Sequence, residues 1–288
     1  MAQIRLISID KEQERVAGDT FLLADKNLHL SMEIRENNVF ACLLDKEINQ
    51  YLAWASYNRR DGKDMKRSLD SILKEEMLNY KCSSSSIVLT HNTAMLIPAT
   101  FFTPVSVMEY LKQQNLIKLG ETPCSDFIKN NDCYSVYAVD TVDYTVLKEK
   151  YPQAIFRHHS SVFVEYLMAL HKGSKTNEVH VFVFPGYIDV VALQPDKLLL
   201  YNRYHYHTPN DFAYFLIWVY EELKLKPVDC PCFLYGEIME KSEMFDLAWR
   251  YLKNVRIAEK TARFTFSNML ENIPPHRYYS LFMQYLCI

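Results

Sequence analysis

Apolar and polar positions in the second half of the chain predict a series of three closely connected strands. Residues 179–184 are apolar at nearly every position, which is typical of a strand covered on both faces. Pro185-Gly186 supplies a tight turn into a second strand at 188–193, and another turn leads into a third strand at 198–204. We expect these strands to form an antiparallel meander.

The helix predicted after this meander has clear start signals. Thr208 can cap free amide groups, Pro209 suits the first helical position, and Asp211 completes a variant of the capping box. A regularly spaced apolar stripe follows over 212–223, and residues 230–235 predict a fourth strand.

The same order of elements occurs in the first half of the chain. Residues 28–35 alternate between apolar and polar side chains, which predicts a strand with one buried and one solvent-facing side. Strands at 39–44 and 48–57 follow, a helical stripe runs over 69–80, and residues 87–89 predict the next strand. Two copies of one motif, about half a chain apart, indicate a duplicated α/β fold.

The region between the copies predicts further alternating elements. Residues 86–90 and 93–98 are expected to form a hairpin around His91-Asn92, and Thr103-Pro104 opens a helix. The remaining predicted elements are a strand at 133–139, a helix at 141–151, a short strand at 154–157 and a helix at 160–171.

This order of elements resembles the actin-like ATPase superfamily, which has a ribonuclease-H-like fold. It is similar to the bacterial cell-division and pilus-assembly actin homologues, to the cytoplasmic domain of the type II secretion L protein, and to a bacterial family of unknown function described as actin-like on fold grounds. The resemblance implies duplicated domains, each a mixed sheet with a three-stranded antiparallel meander and flanking helices. It also implies a first lobe at 1–175, with a small inserted or replaced subdomain around 86–130, and a second lobe at 176–288.

The superfamily holds nucleotide phosphates at a turn after the first strand of each lobe, with the pattern Asp-x-Gly followed by a small hydroxyl residue. The corresponding turns here are Arg35-Glu36-Asn37-Asn38, which has no glycine, and Phe184-Pro185-Gly186-Tyr187, where proline removes an amide donor. The adenine-side loop keeps one glycine, Gly236. The resemblance therefore makes Gly186 and Gly236 the candidate cofactor-binding residues, although we favour a hairpin turn and a strand-to-helix bend as the reason for them, because both positions need an unusual backbone with or without a ligand. Asp189 could replace the missing acid, but we expect it to face solvent.

Charge and composition narrow the range of functions. The chain has 288 residues and a formal net charge of −3, and this lack of basic excess argues against nucleic-acid binding. A basic cluster around Arg59 is interrupted by acids and is interpreted as solvated. No apolar run reaches the length of a membrane span, no signal peptide is apparent, and the seven scattered cysteines are typical of reduced thiols. We therefore expect a cytoplasmic protein.

Known catalytic and metal-binding patterns are missing from the sequence. Cys230 and Cys232 are separated by one residue, which disfavours a zinc site with His205 and His207. Glu33 is the only acid in the first strand, whereas a ribonuclease-H-like nuclease needs several carboxylates for two metal ions. We predict no catalytic residue, no metal and no cofactor. ATP with magnesium is compatible with the fold but is not supported by the loops.

One strand carries the candidate partner-binding residues. Arg203, Tyr204 and Tyr206 lie on or beside a strand rich in the residue types that dominate protein interfaces, although its tyrosines could simply cover the sheet. Residues 274–285 predict a C-terminal helix that docks on its own lobe or on a second protomer.

The function expected from these observations is a protein-binding or assembly module that does not turn over ATP. Its partner would be a protein or peptide, such as the cytoplasmic segment of a membrane protein, and a homo-oligomer is compatible with the sequence. The alternatives are a divergent ATP-binding ATPase or kinase and, with less support, a ribonuclease-H-like nuclease.

Overall fold

The structure is a computed structural model that describes most of the chain. It describes the backbone of residues 13–16 and residues 27–59, 69–90, 92–259 and 261–288. Most of the predicted basic cluster around Arg59 lies outside the described residues.

Strands and helices alternate along much of the chain. The strands are β1 (Gln13–Val16), β2 (Leu28–Ile34), β3 (Asn38–Asp45), β4 (Gln50–Asn58), β5 (Ser84–Leu89), β6 (Met95–Pro98), β7 (Glu121–Ile128), β8 (Cys133–Asp140), β9 (Ile155–His158), β10 (Glu178–Phe184), β11 (Tyr187–Gln194), β12 (Lys197–His205), β13 (Cys232–Gly236), β14 (Val255–Ile257) and β15 (Thr265–Phe266). The helices are α1 (Leu69–Ile72), α2 (Val107–Gln113), α3 (Thr141–Lys150), α4 (His159–His171), α5 (Pro209–Glu222), α6 (Glu243–Leu252) and α7 (Tyr279–Met283).

Two sheets of the same topology form the frame of the molecule. The first has the order β1-β4-β3-β2-β5-β9, with β15 added to β4, and the second has the order β12-β11-β10-β13-β14. In both sheets a three-stranded antiparallel meander continues into two parallel strands. The predicted α/β class, with a meander in each of two related sheets, is confirmed.

The helices cover the sheets in layers. Phe163 of α4 and Phe282 of α7 pack in a central apolar cluster with side chains from both sheets, including Phe40 of β3, Phe182 of β10 and Tyr235 of β13. On the outer faces, α1 and α3 cover the first sheet, and α5 and α6 cover the second. Each sheet is therefore buried on both faces, with the central layer shared between the lobes.

Strand β2 shows how this central layer changes the expected exposure. Its polar side chains were predicted to face solvent, but every residue from Leu28 to Ile34 is buried. The polar side is covered by the C-terminal segment. His29 lies 2.8 Å from both Ser84 Oγ and Ser86 Oγ of β5, and Ser86 Oγ in turn donates to Gln284 Oε1 of the C-terminal segment at 2.7 Å.

Two predictions about the middle of the chain are wrong. Strand β6 does not form a hairpin with β5; it pairs with β8 in a separate three-stranded sheet of order β6-β8-β7. The apolar stripe at 69–80 does not form one helix, because α1 ends at Ile72 and a separate 3-10 turn spans Glu76–Asn79.

The C-terminal segment docks on the first lobe of its own chain. Strand β15 pairs with β4, α7 packs on β2 and β3, and the Tyr51 hydroxyl donates to the Phe282 carbonyl. The predicted helix at 274–285 is shorter, with α7 followed by a 3-10 turn at Gln284–Cys287. The lobe boundaries at 1–175 and 176–288 stay a prediction, and this packing places 265–287 with the first sheet.

Candidate functional site

Two hairpin turns face each other between the lobes. The first joins β2 to β3 and begins at Arg35, whose amide donates to the Asn38 carbonyl at 2.9 Å. The second joins β10 to β11 through Pro185 and Gly186. The turns come close enough for the Arg35 guanidinium to lie 5.1 Å from the centre of the Phe184 ring.

Arg35 connects the first lobe to the loop after β13. Its Nε donates to Glu33 Oε1 at 2.6 Å, and its Nη1 lies 3.2 Å from Glu237 Oε1. Its Nη2 donates to the Arg277 carbonyl at 3.3 Å. Burial opposes the charged guanidinium, but the carboxylates of Glu33 and Glu237 raise the pKa of Arg35 above its usual value. Arg35 is therefore a permanently charged link across the interlobe space.

Aromatic rings from both lobes enclose this guanidinium. The Phe40 ring lies 4.8 Å from it and the Phe184 ring 5.1 Å. Cation–π contacts of this kind are stronger where water is excluded, and Arg35 is only 7% exposed. We call Arg35, Glu33, Glu237, Phe40 and Phe184 the Arg35 clasp.

A second arginine makes the reverse connection, from the second lobe to the first. Asp189 and Arg203 are paired neighbours on β11 and β12, and they form a bidentate ion pair with distances of 2.6 and 2.7 Å. Arg203 Nη1 also donates to the carbonyls of Thr90 at 3.3 Å and Asn92 at 2.9 Å, which follow β5. The guanidinium lies 4.1 Å from the centre of the Tyr187 ring. These residues form the Arg203 clasp.

Burial disfavours the charged form of Arg203, but the attraction of the Asp189 carboxylate is larger than this effect. The pKa of Arg203 is therefore raised above its usual value. Asp189 itself is fully buried, so the expectation that it faces solvent is wrong. The reason is the shared central layer: α4 packs against β11 and closes the face that the sequence pattern left open.

Two histidines at the start of α4 lie beside the Arg203 clasp. His159 Nε2 is 3.5 Å from Asp189 Oδ2, and its Nδ1 is 2.7 Å from Ser280 Oγ. His158 Nε2 lies 2.8 Å from the Asn92 carbonyl, the acceptor that Arg203 also uses. Burial lowers the pKa of His158 to about 3 and that of His159 well below its usual value, so both rings are neutral at pH 7.

The two candidate glycines differ in their surroundings. Gly236 has a φ of +82°, and a Cβ there would lie 2.1 Å from the Val183 carbonyl oxygen, so only glycine fits. Gly186 has a φ of +83° but nothing within 4 Å of a Cβ position. Close packing between β10 and β13 therefore accounts for Gly236, and the hairpin turn accounts for Gly186. Their predicted cofactor role stays a prediction.

The structure separates the three candidate partner-binding residues. Arg203 and Tyr204 are buried, Arg203 in its clasp and Tyr204 against Phe215 with ring centres 4.9 Å apart. Tyr206 is half-buried and donates to the Phe184 carbonyl at 2.8 Å. Strand β12 is an edge strand of its sheet, as a binding strand requires, but Arg203 is already engaged inside the protein.

The cysteines and histidines that were weighed as zinc ligands lie at opposite ends of the second sheet. Cys232 pairs with Val179 at the start of β10, whereas His205 pairs with Tyr187 beside its end. In the described part of the chain, no three His, Cys, Asp or Glu side chains are placed to hold a metal ion. Arg59 is buried and lies 2.7 Å from Asp143, which contradicts its interpretation as solvated.

Sequence reasoning missed the contact between Arg35 and Glu237 in the Arg35 clasp and the place of His159 beside the Arg203 clasp. Arg35 and Glu33 are two residues apart on one face of a strand, a spacing that could have indicated an ion pair on a covered face. Nothing local in the sequence connects them to Glu237, because that contact depends on how the lobes pack.

The sequence matches the family Protein of unknown function (DUF3822) over residues 20–255, and the chain belongs to that family. No curated protein matches it significantly. A Bacteroides thetaiotaomicron protein with an actin-like ATPase fold and unknown function is similar in structure, with 18% identity, a TM-score of 0.72, and coverage of 92% of this chain and 99% of that one.

A PilM–PilN type IV pilus biogenesis complex also contains a similar chain. That chain is 11% identical and has a TM-score of 0.57, and the similarity covers 89% of this chain and 98% of that one. At these identities the similarity shows the fold alone, and this fold is actin-like, as the order of elements predicted. Among the residues that the structure describes, no helix is both long and apolar enough to cross a membrane.

Proposed function

We propose that this actin-like protein is a cytoplasmic binding or assembly module that does not turn over nucleotide. The observation that carries the proposal is the Arg35 clasp. In this superfamily the phosphates would lie between the two turns, and here the Arg35 side chain spans that space to Glu237 and packs between Phe40 and Phe184. A ligand at this position would have to displace a buried, paired guanidinium.

The residues around the turns do not fit ATP and magnesium. The first turn has no glycine to bring backbone amides close to phosphate, and the buried Glu33 carboxylate beside it is committed to Arg35. In the second turn Pro185 has no amide hydrogen, and Phe184 stands where the superfamily has an acid. We therefore propose that these loops are degenerate and derive no catalytic step from them.

A protein or peptide is the partner that this fold supports best. The PilM chain of similar fold occurs in a complex with PilN, and we propose by analogy that a protein or peptide, such as a cytoplasmic segment of a membrane protein, binds this chain. Edge strand β12, with half-buried Tyr206 directly after it, offers one surface for it, since an extended peptide can add to a sheet edge. All seven cysteines are free thiols, which is compatible with a reducing compartment.

Thermal unfolding with increasing ATP and magnesium tests the nucleotide part of the proposal. A ligand that binds only the folded state raises the Tm with its concentration, so we expect no change up to millimolar ATP. Arg35→Met is the variant to compare with the natural protein in this titration, because it removes the guanidinium from the space between the turns but keeps a long apolar side chain. A saturable rise in Tm for the natural protein, or magnesium-dependent hydrolysis that Gly186→Val abolishes, would instead support a divergent ATPase or kinase.

Copurification from native lysate tests the partner part. We expect a protein at stoichiometric yield with the natural chain and a large loss with Tyr206→Ala, while exposed Glu243→Gln on α6 retains it. Recovery of no protein at that yield would count against a binding module.

A further inference from the structure

A large cavity lies away from the interlobe turns, at the starting ends of the parallel strands of the second sheet. Its volume is about 560 Å³, within the range of small-molecule sites, and α4, β10, β13 and the C-terminal segment contribute to its wall. The residues that matter chemically are Tyr166, His171, Glu178, His180, Tyr235 and Tyr279.

The charged centre of this cavity is the Glu178 carboxylate. Its Oε2 lies 3.1 Å from His180 Nε2 and 3.2 Å from His171 Nδ1. Partial burial opposes its charge, but the hydrogen bond from His180 and the two rings lower the pKa of Glu178. Both histidine contacts use Oε2, and the side chain is 21% exposed, so Oε1 is available to a ligand.

His171 is a buried ring with one nitrogen that protein contacts leave unsatisfied. Its side chain is only 2% exposed, its Nδ1 faces Glu178, and its Nε2 has no hydrogen-bond partner among the described residues. Buried polar groups without partners are uncommon in native proteins and call for an explanation. A ligand that donates hydrogen bonds beside Glu178 would supply one.

Aromatic rings line the wall around these polar groups. The Tyr235 and Tyr279 rings lie 4.7 Å apart at a steep angle, and the Phe233 ring stacks on His180 at 5.1 Å. The Tyr279 hydroxyl donates to the Tyr166 hydroxyl at 3.2 Å. Aromatic faces next to a carboxylate attract cations, and flat cations in particular can stack on them.

The net charge of the described wall residues is negative, which also favours a cation. Among the described residues of the wall, three carboxylates, those of Glu165, Glu178 and Glu259, line the cavity with one guanidinium, that of Arg263. Glu165 is neutralised by Arg157 at 2.6 Å, which leaves Glu178 as the half-buried anionic centre. An anionic ligand would be repelled there.

We propose that this cavity binds an organic cation of the guanidinium or amine type, with the cationic group on Glu178 and its apolar part against Tyr235 and Tyr279. The proposal does not depend on the function proposed for the interlobe turns. The cation could be a free small molecule or a basic side chain of a peptide, since the two present the same chemistry.

Calorimetric titration with butylguanidinium at low salt tests the proposal. Butylurea is the matched neutral probe, because it has the same shape without the charge, and we expect it to bind at least about tenfold more weakly. An acetyl-Gly-Arg-Gly-amide peptide forms the second arm: tighter binding of the peptide indicates a peptide source, and tighter binding of butylguanidinium indicates a free small molecule.

Two variants locate the binding site. Glu178→Gln keeps the shape and removes the charge, and we expect it to weaken binding of butylguanidinium at least about tenfold. Leu170→Arg changes an exposed residue at the cavity wall and so leaves the core intact. The guanidinium that it introduces should compete with butylguanidinium for the cavity. Glu243→Gln, an exposed carboxylate on α6, should bind like the natural protein. No saturable binding in either arm, equal binding of butylurea, or unchanged affinity in both cavity variants would overturn the proposal.

Discussion

The two arginine clasps connect the same two lobes in opposite directions and differ in how completely their charges are satisfied. In the Arg203 clasp, Asp189 receives two short hydrogen bonds and Arg203 also reaches two carbonyls of the other lobe. In the Arg35 clasp, Glu33 receives one hydrogen bond from Arg35, and its second oxygen is buried without a partner among the described residues. The second contact of Arg35 is to Glu237, which is 22% exposed.

This difference separates a fixed connection from one that can change. A buried ion pair that is fully hydrogen-bonded resists opening. An ion pair with an unsatisfied oxygen and a partly hydrated partner loses less interaction free energy when it breaks. We infer that, if the lobes move apart, the Arg35 clasp opens first. That clasp lies between the two turns proposed above as degenerate phosphate loops, so the side of the cleft inferred to open more easily lies beside those turns.

Replacing Arg203 should have the largest effect on stability. Arg203→Met leaves the fully buried Asp189 carboxylate without its guanidinium, and we expect a loss of about 3–5 kcal/mol in the free energy of unfolding. Urea unfolding followed by circular dichroism measures it. The double variant Asp189→Asn with Arg203→Met should recover much of the loss, because no buried charge remains; a single variant as stable as the natural protein would contradict this view of the clasp.

The two glycines beside the clasps should differ in their tolerance of alanine. Gly236→Ala forces a Cβ against the Val183 carbonyl at positive φ, and we expect a loss of about 3 kcal/mol. Gly186→Ala meets open space and should cost about 1 kcal/mol, from the backbone conformation alone. Thermal unfolding of the pair is the measurement. Equal losses would mean that the close approach of β10 to β13 does not determine the stability at Gly236.

Much of the fold follows from local patterns in the sequence. The meander of β10, β11 and β12 was predicted because its turns and apolar runs are local signals, and the capping box of Thr208 and Asp211 is present as predicted. Strand β7 was not predicted, since its sequence ETPCSDFI contains a proline and little alternation. The hairpin prediction for β5 and β6 was wrong because β6 pairs with a strand that lies about 40 residues further along the chain.

The candidate site was less accessible to sequence analysis for a physical reason. Alternating polar and apolar residues in β2 predict one solvent-facing side, and Asp189 of β11 was also expected to face solvent, but α4, α7 and the C-terminal segment cover these sides of both sheets. Glu33, Arg35 and Asp189 are therefore buried, and so is Arg203, which was predicted to bind a partner. Only long-range packing distinguishes a strand side that faces solvent from one that is covered. The contact between Arg35 and Glu237, for example, spans 202 residues.

Replacing Arg35 should cost less than replacing Arg203. Arg35→Met retains apolar contact with Phe40 and Phe184 but leaves the buried Glu33 carboxylate without its guanidinium, and we expect a loss of about 3 kcal/mol. The loss is smaller than for Arg203→Met because Glu33 gives up one hydrogen bond, whereas Asp189 gives up two, and because Glu237 can regain water. The double variant Glu33→Gln with Arg35→Met should recover part of it. Urea unfolding beside Arg203→Met gives the comparison directly, and a larger loss for Arg35→Met would reverse the order of the two clasps.

Acid should weaken the Arg203 clasp through His158. Burial lowers the pKa of His158 from 6.5 to about 3 in the folded protein, so between these values the unfolded chain binds a proton that the folded chain does not. The stability that the neutral ring contributes is therefore complete above about pH 6.5 and decreases as the pH falls towards 3. From pH 7.5 to 5.5 the natural protein should lose about 1.4 kcal/mol more than His158→Gln.

The geometry explains why this acid effect belongs to one clasp. His158 Nε2 lies 2.8 Å from the Asn92 carbonyl, to which Arg203 donates at 2.9 Å, so a proton gained by the ring adds a second positive charge beside the guanidinium. Urea unfolding at the two pH values measures the effect, and the same measurement in the Arg35→Met background should show an unchanged difference. If the difference disappears with Arg35→Met but persists with Arg203→Met, the acid-sensitive connection between the lobes is the Arg35 clasp.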